Sequence, residues 1–148
     1  MSSMRLSFTW SDAWVLAAIA MASEAKGATL KEIIAAGDSI NGTLFTPREL
    51  RCGLAKLTRA GYAQTDGNLF NVAGGARDAA QKILKLKGTS FCVMLSFEGF
   101  LNVDPYAADE KDQDWPFQGL SDEVVIATSA RYKEEVSRMS EQVVNASA

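Results

Sequence analysis

Between Thr46 and Ala60 the chain sets Arg48, Arg51, Lys56 and Arg59 among leucines spaced for a helix. Arginine carries a planar fork of donors that fits a guanine edge or a phosphate, whereas lysine is a point charge suited to phosphate. Leu50, Leu54 and Leu57 recur at spacings of four and three, which fixes one apolar face. At about 100° per residue, Arg48, Arg51, Cys52, Ala55 and Arg59 then lie largely on the other side. Arg48 and Arg51, in the first turns, are placed to reach base edges, and Lys56 and Arg59 to hold phosphates. Thr43 and Thr46 bring hydroxyls to the helix N-terminus, where free backbone N–H groups favour an anion. Asn68 brings an amide farther along. The plainer reading is that the four cations are only the solvated face of an amphipathic helix.

Other chemistries find less support. Histidine is absent, which removes His-based triads, most zinc catalysis and the usual near-neutral proton shuttle. Cys52 and Cys92 have no metal-binding spacing, and Cys52 reads as a small helix residue. Asp109, Glu110, Asp112 and Asp114 invite a calcium loop. Counting from Asp112, however, Pro116 and Phe117 fall where that loop needs a ligand and a glycine. Gly74-Gly75 lacks the Lys and Thr of a phosphate-binding loop and reads as a connector. No nucleophile, base and oxyanion site assemble, so the expectation is no enzyme, no metal and no cofactor.

The elements that must position the arginines carry their own signals. A first helix is expected from a Ser11 cap, burying Val15, Leu16, Ile19 and Ala22, with Trp10 and Trp14 closing its end. Thr29 and Glu32 form a capping box for a second helix, which Leu30, Ile33, Ile34 and Ile40 turn inward and Gly42 ends. Thr46, Pro47 and Glu49 give the third helix, 46–60, a cap, a first-turn proline and another capping box, and Gly61 stops it. Gly53 lies within that helix, a place kept for close approach by another helix. Tyr62–Thr65 and Leu69–Val72 read as a hairpin, 62–72, around an Asp66-Gly67 turn. Then comes a helix with Ala79, Ile83 and Leu86 inward and Arg77, Lys82, Lys85 and Lys87 outward. Residues 91–101 are apolar on nearly every side and read as a buried helix. An acidic loop spans 104–119. From Ser121 a last helix runs to about Val144, with Val125, Ser129, Tyr132, Val136, Met139 and Val143 as a coiled-coil-like seam.

The net charge of −3 at pH 7 conceals an asymmetry. Residues 1–88 sum to +4 and residues 89–148 to −7, so the front half is expected to meet an anion. No apolar run is long enough for a membrane helix. Asp12 interrupts the N-terminal apolar stretch, which therefore reads as folded protein and the chain as cytoplasmic.

Helix, helix, turn, helix and hairpin over residues 11–73 resemble a winged helix-turn-helix domain. "TPRELRCGLAKLTRAGYAQTDGNLFNVAGGAR" is similar to the recognition helix and wing of MarR-type and PadR-type transcriptional regulators. The tip Asp66-Gly67-Asn68 departs from the basic wing tips usual in MarR-type proteins, and the C-terminal seam suits the PadR-type arrangement. The resemblance implies a mainly α fold with a small β-hairpin, a winged helix-turn-helix followed by a C-terminal helical segment. Residues 1–88 would bind double-stranded DNA through Thr43, Thr46, Arg48, Arg51, Lys56, Arg59 and Asn68. Residues 89–148 would dimerise through 121–145 or house an effector that the sequence does not name. The alternative is a winged-helix protein–protein interaction module that does not bind DNA.

Overall fold

The computed structural model describes residues 8–23, 26–66, 68–86, 90–103 and 117–147. Within them are six helices, α1 (Trp10–Ala22), α2 (Leu30–Asn41), α3 (Pro47–Arg59), α4 (Gly74–Leu84), α5 (Ser90–Val103) and α6 (Asp122–Ser147). Strands β1 (Ala63–Asp66) and β2 (Leu69–Val72) form an antiparallel hairpin between α3 and α4. The fold is thus mainly α with a small hairpin, as expected.

Helix α1 is the axis of the core. Every residue from Asp12 to Ala20 is buried, because α2, α3, α4 and α5 all pack against this helix. The expected stripe of Val15, Leu16 and Ile19 is therefore only part of an all-round apolar surface. Trp14 fills the space toward α2, where its indole N–H donates to the Gly37 carbonyl at 2.9 Å. Its ring lies against Phe45, with centroids 3.9 Å apart. The cap of α1 is Thr9 rather than Ser11. Thr9 Oγ1 accepts the Asp12 N–H at 3.2 Å, and Asp12 Oδ2 accepts the Thr9 N–H at 2.8 Å, a reciprocal pair that an Asp three residues on makes available. Ser11, one turn position inside, donates instead to Glu49 of α3 at 3.3 Å.

Both other capping boxes, Thr29 with Glu32 and Thr46 with Glu49, form as read. Gly42 (φ 70°) and Gly61 (φ 83°) end α2 and α3 in the left-handed conformation. Gly53 is where α3 meets α1, since a Cβ there would lie 2.8 Å from Val15 Cγ2. The helix-interior glycine, which costs about 1 kcal/mol relative to Ala, is kept for that approach.

The hairpin register pairs Asp66 with Leu69, which puts Asp66 in the strand and makes the connection residues 67 and 68, one residue later than read. Gly67 lies outside the described residues. A feature the sequence reading missed is Ala28, which exchanges both backbone hydrogen bonds with Phe70 at 2.8 Å. This single extended residue between α1 and α2 gives the hairpin a third rung, in the order Ala28, β2, β1. It ties the start of α2 to the hairpin.

Helix α4 starts at Gly74 and buries Ala76 and Ala80. It ends before Leu86, so the helical spacing that pointed Leu86 inward no longer applies and that side chain is 53% exposed. Met94, Phe97 and Leu101 of α5 and Val125 of α6 belong to the same buried cluster as α1, so the core runs on past residue 88. Helix α6 lies along α2 and α3. Lys31 Nζ meets Glu135 Oε1 at 3.0 Å, and Tyr132 Oη donates to Asp38 Oδ2 at 2.7 Å. Of the seam, Val125 is buried, Ser129 and Tyr132 are half-buried, and Val136 and Met139 are exposed. The Val143 side chain lies outside the described residues. Among these residues no helix is long and apolar enough to cross a membrane.

The bond to Asp38 pushes the Tyr132 hydroxyl up from 10.0 to about 12, aided by burial. A pKa raised by folding contributes stability that is complete below the unfolded value and lost as pH rises through the folded one. The Tyr132 contribution should hold to pH 10 and vanish by about pH 12. Alkaline titration of tyrosinate absorbance should show one group near 12 that disappears in Tyr132→Phe. Tyr132 titrating at its ordinary value would mean the α2–α6 bond is absent in solution.

Candidate nucleic-acid interface

Helix α3 is held on three sides, and each side decides what one of its cations can do. Leu50, Leu54 and Leu57 are fully buried against the core. Thr46 Oγ1 accepts the Glu49 N–H at 3.1 Å and Glu49 Oε1 the Thr46 N–H at 3.0 Å, so the Thr46 hydroxyl is engaged as a cap. Pro47, in the first helical turn, needs no partner for an N–H it lacks.

One flank faces the start of α1. There Lys56, expected on phosphate, is only 6% exposed, with Nζ 2.5 Å from Asp12 Oδ2 and 5.3 Å from the centre of the Phe8 ring. Lys56 is about 100° around the helix from Leu57, on the flank that meets the start of α1. Asp12 is itself buried, and a carboxylate taken from water requires such a partner. This corrects the reading of Lys56 as a surface residue.

The opposite flank faces residues 117–122. Arg51 Nη1 donates to Asp122 Oδ1 at 2.8 Å and Nη2 to the Phe117 carbonyl at 3.3 Å. In return the Phe117 N–H donates to the Arg51 carbonyl at 3.0 Å. The Arg51 side chain is 15% exposed, and its Nε is buried with no acceptor among the described residues. Arg51 is therefore covered in this arrangement rather than presented to solvent.

The outer face keeps Arg48 and Arg59, both exposed, with half-buried Cys52 between them and Ala55 buried. Eleven residues apart, the two arginines share one stripe about 16 Å apart along the axis. Thr43, at the turn between α2 and α3, and Asn68, at the hairpin end, are exposed, as is Asp66 beside it. The structure thus keeps Thr43, Thr46, Arg48, Arg59 and Asn68 at the surface, buries Lys56 and covers Arg51. Phe117 and Asp122 were missed. They contact Arg51 from 66 and 71 residues away, and no local pattern encodes that. Asp12 did carry a signal, a lone acid in an apolar helix.

Among the described residues no group of three or more His, Cys, Asp or Glu side chains could hold a metal ion. Asp109, Glu110, Asp112 and Asp114 of the acidic loop lie outside those residues. Comparison with protein-family models, curated proteins and solved structures yields no match. The order of helix, extended rung, two helices and hairpin is compatible with a winged-helix architecture.

A buried acid left without its cation is costly, about 3–5 kcal/mol. Lys56→Met should lower stability in urea unfolding by about that much, and adding Asp12→Asn should recover part of it. Arg59→Met, on the exposed face, should stay within about 0.5 kcal/mol. A loss below about 1 kcal/mol for Lys56→Met would show the pair to be solvated.

Proposed function

We propose that this chain is a DNA-binding transcriptional regulator of winged-helix type, with α3 as recognition helix and the hairpin as wing, in the manner of the MarR-type and PadR-type proteins it resembles. The observation that carries this reading is the exposed Arg48–Arg59 stripe on a helix whose other sides are fixed. Arg48, in the first turn, is suited to a base edge, and Arg59, in the last, to a phosphate. Thr43 and Asn68 are suited to the flanking backbone. The role is binding, without catalysis or cofactor.

The distal half of α6 supports a homodimer. Val136 and Met139, three residues apart, are 41% and 65% exposed on α6, whose first turns also expose Val124 and Ile126. Two copies joined there by a two-fold axis would read half-sites about one helical turn apart. In sedimentation the protein should behave as a dimer and Met139→Glu as a monomer. A monomeric parent at micromolar concentration would remove this part of the proposal.

A second reading, a protein-interaction module, is favoured by exposed Asp66 at the wing and by the internal engagement of Lys56 and Arg51. Fluorescence anisotropy with random duplex DNA across a salt series separates the two. A DNA binder loses affinity linearly in log–log terms, and Arg59→Ala, which removes a phosphate contact, should reduce the slope by about 1. Arg51→Ala is the wrong probe here, because it also cuts α3 from α6. Absence of binding at low salt would leave the interaction module, to be pursued by affinity capture.

A further inference from the structure

Residues 117–122 join the two elements that a winged helix sets on DNA. The Phe117 ring packs edge-on against Phe70 of the hairpin, with centroids 6.2 Å apart, while its backbone N–H and carbonyl both bond to Arg51 of α3. Asp122 then places a carboxylate on the same guanidinium. An oxygen pair on an arginine of the recognition helix is the arrangement a phosphate would adopt there. Asp122 is 57% exposed and Glu123 follows it, so this short segment lays negative charge across the flank of α3.

We infer that residues 117–122 are an internal competitor for DNA, with Asp122 standing where a backbone phosphate would bind Arg51. The inference rests on the DNA-binding reading and assigns its regulation to the same surface. The closed arrangement does not satisfy the guanidinium. Arg51 Nε is buried without an acceptor among the described residues, so the donors are only partly used. A phosphate, with oxygens on both sides of the fork, offers the bidentate partner that one carboxylate oxygen and one carbonyl at 3.3 Å do not. Exchange would not require α6 to leave. Val125, buried, and Tyr132, bonded to Asp38, anchor the helix beyond Asp122, so only the segment before them would have to let go. The competitor therefore sets a threshold on binding, which ionic strength and a partner for Phe117 would both shift.

The test is duplex-DNA anisotropy at low salt on the full chain. Asp122→Asn should bind about two- to fivefold tighter than the parent, the range expected for freeing a partly exposed ion pair. Glu134→Gln, the same charge change within the surface pair with Arg138, should leave affinity nearly unchanged. In an Arg51→Ala background, where both variants have lost the α3–α6 bond, Asp122→Asn should give no gain over Arg51→Ala alone. Saturating DNA should also speed hydrogen exchange at the Phe117 amide. Equal tightening by both charge variants, or none by Asp122→Asn in a parent that binds, would overturn the competitor and leave DNA binding standing. No binding by parent and Asp122→Asn alike would overturn the DNA-binding reading, and the competitor with it.

Discussion

From Asp12 to Ala20, helix α1 has no face that it can show to water, and this constrains everything around it. From Ala13 to Ile19 its side chains are essentially inaccessible, and each large one buried is worth about 1.5–3 kcal/mol. Its alanines let neighbouring helices come close, most sharply where Gly53 meets Val15. Four helices and the hairpin are consequently arranged around one apolar rod. The orientation of α3 follows from this. Leu50, Leu54 and Leu57 must face α1, and once they do, the helical repeat assigns every arginine its side.

Electrostatics then divides the cations into two kinds. Lys56 and Arg51 are internal fasteners, one to Asp12 at the start of α1, the other to Asp122 at the start of α6. The buried Lys56–Asp12 pair adds little net stability over a well-packed apolar pair. What it does is fix position, because either of those two charges misplaced would be stranded, whereas Asp122 keeps its carboxylate largely in water. The basic front half and acidic back half meet in this way too. Arg51 with Asp122 and Lys31 with Glu135 join cations of the first 88 residues to acids of α6. Part of the anion that the charge asymmetry pointed to is supplied by the chain itself.

What was legible in the sequence is what depends on near neighbours. Capping boxes at Thr29 and Thr46 rest on residues three apart, and the leucine stripe of α3 on residues three and four apart. The hairpin was legible to within one residue, since the turn chemistry of Asp66, Gly67 and Asn68 admits either placement. The cap of α1 was misread because Ser11 and Thr9 are both able to cap. Only the Asp at position 12 favours Thr9, through the return bond from its carboxylate. Ala28 was invisible: one residue pairing with Phe70 makes no alternating pattern. The fates of Lys56 and Arg51 were decided by partners 44 and 71 residues away, distances at which spacing rules say nothing.

A helix clamped on three sides is a rigid platform, and rigidity has consequences for whatever it contacts. The stripe from Arg48 to Arg59 cannot roll to suit a partner, since a turn of the helix would expose a leucine or strand Lys56. Recognition there loses less backbone entropy than a loop would, and depends more on fit. Helix α6 extends the same rigidity outward. Its bonds to α2 and α3 run from Asp122 to Glu135, and Val136 and Met139 follow as exposed apolar residues on the same continuous helix. Anything that binds those residues, including a second copy, is held at a distance and angle from α3 set by α6 alone. In such a pair the separation of the two arginine stripes would be a property of helix geometry, insensitive to the surface loops between them.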